Sequence, residues 1–162
     1  MNEYRLPTDT NEITLQQLQH LMDTIPEKLY QFSEEEMAEK PAHDKWSKKE
    51  IIGHLIVSAT NNHQRFIRGQ FEENPSISYN QVLWNVHGHF QEMDTDHLIA
   101  FWEMYNRHLI ELISRVPRSL LEKTCQMSDG TSYTLSWLFD DYVRHLEHHL
   151  KQIVESKINQ KE

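Results

Sequence analysis

The apolar positions along the chain recur at helical rather than strand spacing. Ile13, Leu15, Leu18, Leu21, Met22, Ile25, Leu29 and Tyr30 predict a first helix over Glu12–Phe32. Pro26 lies inside that pattern and has no amide hydrogen, so the helix is expected to kink or break there. Ser33 and the three glutamates after it read as a cap with an acidic first turn, a short helix ending near Lys40–Pro41. After the loop 41–46, Ser47 and Glu50 have the spacing of a capping box, and the second long helix runs to about Gly69. A loop over 70–77 leads to a third helix over Tyr79–Met93. Asp94 or Thr95 caps a fourth, which runs to about Val116 before Pro117. Residues 117–133 read as a connection with a turn at Ser128-Asp129-Gly130. The last helix spans about Thr134–Lys157, and its tail is expected to fray. Period-two alternation is nowhere convincing. Each long helix carries one apolar stripe that needs a partner. The expected fold is therefore all-α, a helical bundle with short additional helices, in one domain over 1–162.

Composition narrows the classes. The chain has 162 residues, 38% hydrophobic and 25% charged, enough for one globular core. Only 4 glycines and 5 prolines occur, too few for a loop-rich or all-β chain. A formal charge of -9 repels phosphate backbones, so nucleic acid is not an expected partner. No apolar run is long enough to span a membrane, and the polar start MNEYRLPTDTNEIT lacks an apolar signal core, so a cytoplasmic protein is expected. The single cysteine, Cys125, excludes an internal disulfide and a thiolate cluster. It falls in a predicted loop and reads as an incidental small apolar residue. Trp46, Trp84, Trp102 and Trp137 are expected in the core or in pocket walls.

Eleven histidines are the unusual count. In HLEHH, His145 could pair on one helix face with His148 or with His149. The apolar stripe of the last helix decides between them. With Leu135 as zero, that stripe centres near 25° and His149 and His145 fall at about 320° and 280°, on its rim. His148 falls at about 220°, with Arg144 and Lys151 on the solvent side. An inward His-x3-His pair can chelate one ion at about 2.1 Å per bond, although such pairs also occur on surfaces without metal. On the second long helix His54, Ser58, Asn61 and Arg65 form a polar stripe along the rim of the apolar face, either lining a pocket or opening the solvent face. Three neutral imidazoles with an open position suit zinc, nickel or iron. Asp141, one turn before His145, either accepts a hydrogen bond from a ligand's second ring nitrogen or is a solvated acid. His20, His43, His63, His97 and His108 are isolated, and His87 and His89 are spaced wrongly for a chelating pair.

Two segments carry a resemblance. KWSKKEIIGHLIVSATNNHQRF (45–66) resembles the first motif of the DinB/YfiT-like helical-bundle superfamily, and DGTSYTLSWLFDDYVRHLEHHLKQI (129–153) resembles its second. The resemblance implies an up-down-down-up four-helix bundle, often a homodimer. It implies metal ligands at the His of the first motif and at the first and last His of the second, which are His54, His145 and His149. It also implies a divalent metal (zinc or nickel first, iron or manganese as alternatives) and a small-molecule substrate. Members with known activity use a low-molecular-weight thiol as cosubstrate, in S-transfer or isomerisation; others are labelled metal-dependent hydrolases, and some are known only as stress-induced proteins. The leading expectation is a metal-dependent S-transferase acting with a bacillithiol-like thiol, with Arg65 and Asn61 orienting an anionic group. The alternatives are hydrolysis, for which the sequence shows no clear general base, and a metal-binding protein without turnover.

Overall fold

Four long helices, two short ones and one small hairpin make up residues 10–155, the part of the chain that the computed structural model describes. In chain order they are α1 (Thr10–Leu29), α2 (Glu34–Ala38), α3 (Lys48–Phe71), α4 (Gln81–Gly88), α5 (Thr95–Ile113), β1 (Thr124–Gln126), β2 (Ser132–Thr134) and α6 (Leu135–Glu155). The expected extension to Lys157 and the tail beyond it lie outside the described residues.

The caps form where the sequence placed them. Ser33 with Glu36 and Ser47 with Glu50 both close complete capping boxes. Asp94 accepts from the His97 amide, and Thr134 Oγ1 accepts from the Trp137 amide at 3.1 Å. These contacts fix the helix starts and so the rotation of each helix about its axis.

α1 and α3 each pack against both α5 and α6, so α1 and α3 lie diagonally across the bundle. Side-chain contacts give the directions. Thr14 Oγ1 donates to Asp140 Oδ1 at 2.5 Å, joining the starts of α1 and α6, which are therefore parallel. Arg118, just past α5, reaches Glu12 near the start of α1, so α5 runs antiparallel to α1. His54 meets His145 while Phe66 stacks on Phe139 with centroids 4.9 Å apart, so α3 is antiparallel to α6. The order is up-down-down-up. Leu18, Met22, Leu29, Ile52, Phe66, Trp102, Leu109 and Leu146 fill the common core.

The structure departs from the expected pattern at four places. Pro26 does not break α1, which continues to Leu29. Proline leaves the Met22 carbonyl without its helical donor, and Arg107 Nη2 supplies one from α5 at 2.9 Å. The third helix ends at Gly88 instead of Met93, because His89 turns left-handed (φ 54) and a short 3-10 turn over Phe90–Glu92 follows. That turn drives the Phe90 ring onto the backbone of Gly53 and Gly88. The 117–133 connection holds an antiparallel hairpin in place of an irregular loop, with Gly130 (φ 82) at its tip. Three-residue strands are too short for alternation to register, and Cys125 lies within β1, fully buried. Trp137 is exposed, stacked on Tyr133 at 3.9 Å, and lies outside the core.

At Gly53 an added Cβ would sit 2.1 Å from Phe90 Cγ, the rigid root of the ring. Gly53→Ala is expected to lower unfolding free energy by about 1–3 kcal/mol, the usual cost of overpacking. Urea denaturation with an unchanged m-value checks this.

Candidate metal centre

α3 enters the core at its N-terminal half and carries polar residues inward with the apolar ones. His54 is 1% exposed, packed under Trp46, whose ring centroid is 4.9 Å away. Trp46 immediately precedes the Ser47 cap, so the capping box that starts α3 also holds the indole over the histidine. From the antiparallel α6, His145 and His149 project toward His54, one turn apart on one face. Ring centroids are 5.0 Å (His54–His145), 4.8 Å (His54–His149) and 4.6 Å (His145–His149) apart. One ring nitrogen from each lies within 4.8 Å of the others, and His54 Nε2 is 3.1 Å from His145 Nε2. Two ligands of one tetrahedral ion at about 2.1 Å per bond have nitrogens roughly 3.4 Å apart, so the trio has the spacing of a shared ion.

The electrostatics suit that use. Burial, reinforced by the other two rings, pushes His54 down to about 4, and burial with His149 and His148 pushes His145 to about 4. His149 is lowered as well, again mainly by burial, while a hydrogen bond to Gln152 opposes the shift. At neutral pH all three are uncharged and present lone pairs. The Gln152 carbonyl oxygen lies 3.0 Å from His149 Nδ1. An oxygen of that kind only accepts, so Nδ1 carries the hydrogen and Nε2 is left free. The same amide, through Nε2, reaches His148, which is exposed. The donor set therefore fits a divalent transition metal.

A cavity of about 160 Å³ opens beside His145, lined by Ser58, Asn62, Arg65, Ser78, Tyr79, Met127, Ser128, Asp141 and Tyr142. The hairpin builds one wall. The Gln126 amide donates to Pro75 O and the Ile77 amide to Gln126 O, which clamps residues 75–79 against β1 and brings Tyr79 over α3. Arg65 is buried and reaches Asn62 Oδ1 and the Ile77 carbonyl. Asn61 turns its amide back onto Val57 O at 2.9 Å, and its neighbour Asn62 lines the cavity. Asp141 is half-buried on the cavity wall, 3.6 Å from Arg144, with its carboxyl pushed up by burial. The acceptor for a ring N–H of the trio is Gln152, at i+3 from His149, a spacing visible in the sequence. Tyr79, Ser78, Met127 and Ser128 were not foreseeable, since they sit in loops that only the hairpin clamp brings near α3. Away from this centre, His63 Nδ1 and Tyr105 Oη pair at 2.8 Å between α3 and α5, with His108 beside them.

Metal-free protein should lose stability as pH falls. The unfolded imidazoles titrate near 6.5 and those of His54 and His145 near 4, so between these values the unfolded chain binds more protons. Stability is fully present above about pH 6.5 and declines toward pH 4. Urea midpoints of chelator-treated protein across that range should fall with pH, and His54→Gln should flatten the slope.

The model of the DinB superfamily matches residues 11–153. A Halalkalibacterium halodurans protein named as a candidate metal-dependent hydrolase is 21% identical over 166 residues, spanning 99% of this chain and 96% of its own. The structure of YfiT from Bacillus subtilis, described as a probable metal-dependent hydrolase with an unusual four-helix bundle topology, superposes with a TM-score of 0.86 at 17% identity, covering 99% of this chain and 93% of that one. A mycothiol-dependent maleylpyruvate isomerase superposes with a TM-score of 0.72 at 13% identity, over 90% of this chain and 60% of the other. Among the described residues no helix is long and apolar enough to cross a membrane. With the family model covering all four long helices and the three histidines, this chain belongs to the DinB superfamily.

Proposed function

We propose that this protein is a metal-dependent enzyme acting on a small molecule, with His54, His145 and His149 as the ligands. The observation that carries the reading is the pairing of that trio with a polar cavity opening beside His145. Neutral imidazoles favour zinc or nickel, with iron or manganese as alternatives. Such an ion would supply the positive charge that favours the thiolate, the nucleophilic form of a thiol, or that acidifies a water.

The chemistry we put first is transfer of a low-molecular-weight thiol, bacillithiol-like, to an electrophile. The chain's own contribution would be positional. Trp46 and Gln152 hold His54 and His149 in place, and Arg65 and Asn62 face the reactants from the cavity wall. Asn61, one residue earlier, would act by keeping α3 rigid through its bond to Val57 O. Hydrolysis is the second reading, and Asp141 favours it. Its half-buried carboxyl, raised by burial, lies in the cavity with His145, where a general base would take a proton from water. The homodimer belongs to the same proposal. Its support is the exposed apolar surface of Val82, Leu83 and Trp84 on α4 and of Phe101 and Met104 on α5.

Elemental analysis of untagged protein should find about one transition-metal ion per chain, lost in His54→Ala and His145→Ala. The loaded protein should then transfer one of several small thiols to an activated aryl halide, with that activity abolished in His54→Ala. Ester or amide hydrolysis that depends on both His54 and Asp141, without thiol transfer, would select the second reading. A bound metal with neither activity would return the protein to a non-catalytic role.

A further inference from the structure

The buried face of α3 carries a charge with no carboxylate in direct contact with it. Arg65 is 5% exposed. Its Nη1 donates to Asn62 Oδ1 at 3.2 Å and its Nη2 to the Ile77 carbonyl at 2.8 Å, both neutral acceptors. Its Nε is buried and has no partner among the described residues. Of the five N–H groups of a guanidinium, the protein uses two. No carboxylate among the described residues pairs with Arg65. Asp141 faces the same cavity and attracts the guanidinium from a distance, but its nearer partner is Arg144 at 3.6 Å. A cation that is withdrawn from water normally rests against an anion, because burial alone penalises it heavily. Arg65 lines a cavity of about 160 Å³.

We infer that this cavity is a carboxylate-binding subsite, in which Arg65 holds the acid group of a small substrate whose other end reaches His145. The inference rests on the metal-enzyme reading only for what happens at that other end. Guanidinium N–H groups match the two oxygens of a carboxylate, and the hydroxyls of Ser58 and Tyr79, hydrogen-bonded to each other, lie on the same wall. A phosphate dianion fits less well, because both of its charges sit on the one group that faces Arg65 and Asp141, whereas each carboxylate of a dicarboxylate brings only one.

The test uses the full chain, metal-loaded, near neutral pH, titrated calorimetrically with acetate, malonate and inorganic phosphate. Arg65→Gln should weaken malonate by about ten- to a hundredfold, the scale of a charge-assisted hydrogen bond. Asp141→Asn should strengthen malonate severalfold, and Ser58→Ala should weaken it. Malonate affinity unchanged in Arg65→Gln would overturn the subsite, because the acid would then be held elsewhere, as by the metal itself. Phosphate binding more tightly than malonate with the same Arg65 dependence would overturn the carboxylate assignment. Because Arg65 also tethers Ile77, melting curves accompany each variant. If Arg65→Gln does not fold, unchanged affinity in both Asp141→Asn and Ser58→Ala overturns the inference alone. Metal content measured on the same samples separates the two readings. Arg65-dependent malonate binding to protein that takes up no metal sinks the metal reading and leaves the subsite. Full metal occupancy without carboxylate binding does the reverse.

Discussion

The register between α3 and α6 is the constraint on which the rest of this molecule depends. The two helices are antiparallel, and they are pinned at two levels: Phe66 stacked on Phe139 below, and His54 against His145 and His149 above. A slip of one residue in either helix turns its side chains by about 100° and carries the histidines out of the core. The aromatic stack therefore acts as a spacer for the imidazoles. The capping box at Ser47 fixes where α3 begins, and Thr134 fixes where α6 begins, so both ends of the register are set by local sequence.

That local origin explains what could be read in advance. Helix periodicity, the cap at Ser33, the capping box at Ser47 and the inward turn of His145 and His149 are consequences of residues within a turn or two of one another. They survive in the sequence as patterns. His148 is next to His149 in the sequence yet stands in solvent, as its position opposite the apolar stripe required. What escaped depends on partners far along the chain. Pro26 is tolerated in α1 because Arg107, on another helix, caps the carbonyl that proline frees. The third helix stops early because Phe90 has two glycine surfaces to rest on, one of them Gly53 on α3. The hairpin around Cys125 is three residues per strand and gains its stability from the Pro75–Ile77 segment laid beside it. None of these partnerships leaves a periodic trace.

The missed hairpin matters most, because it is what turns a helix rim into a cavity. On α3 alone, Ser58, Asn62 and Arg65 are a polar edge that could equally face water. Clamping residues 75–79 onto β1 places Tyr79 over that edge and carries the Ile77 carbonyl to Arg65. The polar stripe is thereby withdrawn from solvent instead of being satisfied by it. Asn61 and Asn62 take up neighbouring backbone carbonyls of their own helix at i−4, which meets part of the hydrogen-bonding demand and leaves the guanidinium incompletely met.

Two costs of burial thus sit side by side and differ in kind. The three imidazoles avoid theirs by remaining neutral, which is why burial lowers their proton affinity and leaves their lone pairs available. Arg65 has no such escape, since a guanidinium keeps its proton even where burial lowers its pKa. A bundle selected for stability alone would replace it with an apolar residue of similar volume, a change that is often neutral or favourable at a buried ionic position. Its presence next to a neutral histidine cluster is what the proposed pairing of a cation site with an anion site rests on. A ligand that bridges them would relieve both at once, coordinating through one end and neutralising Arg65 with the other. Arg65 and His145 line one cavity of about 160 Å³, so a molecule that bridges the two has to be small.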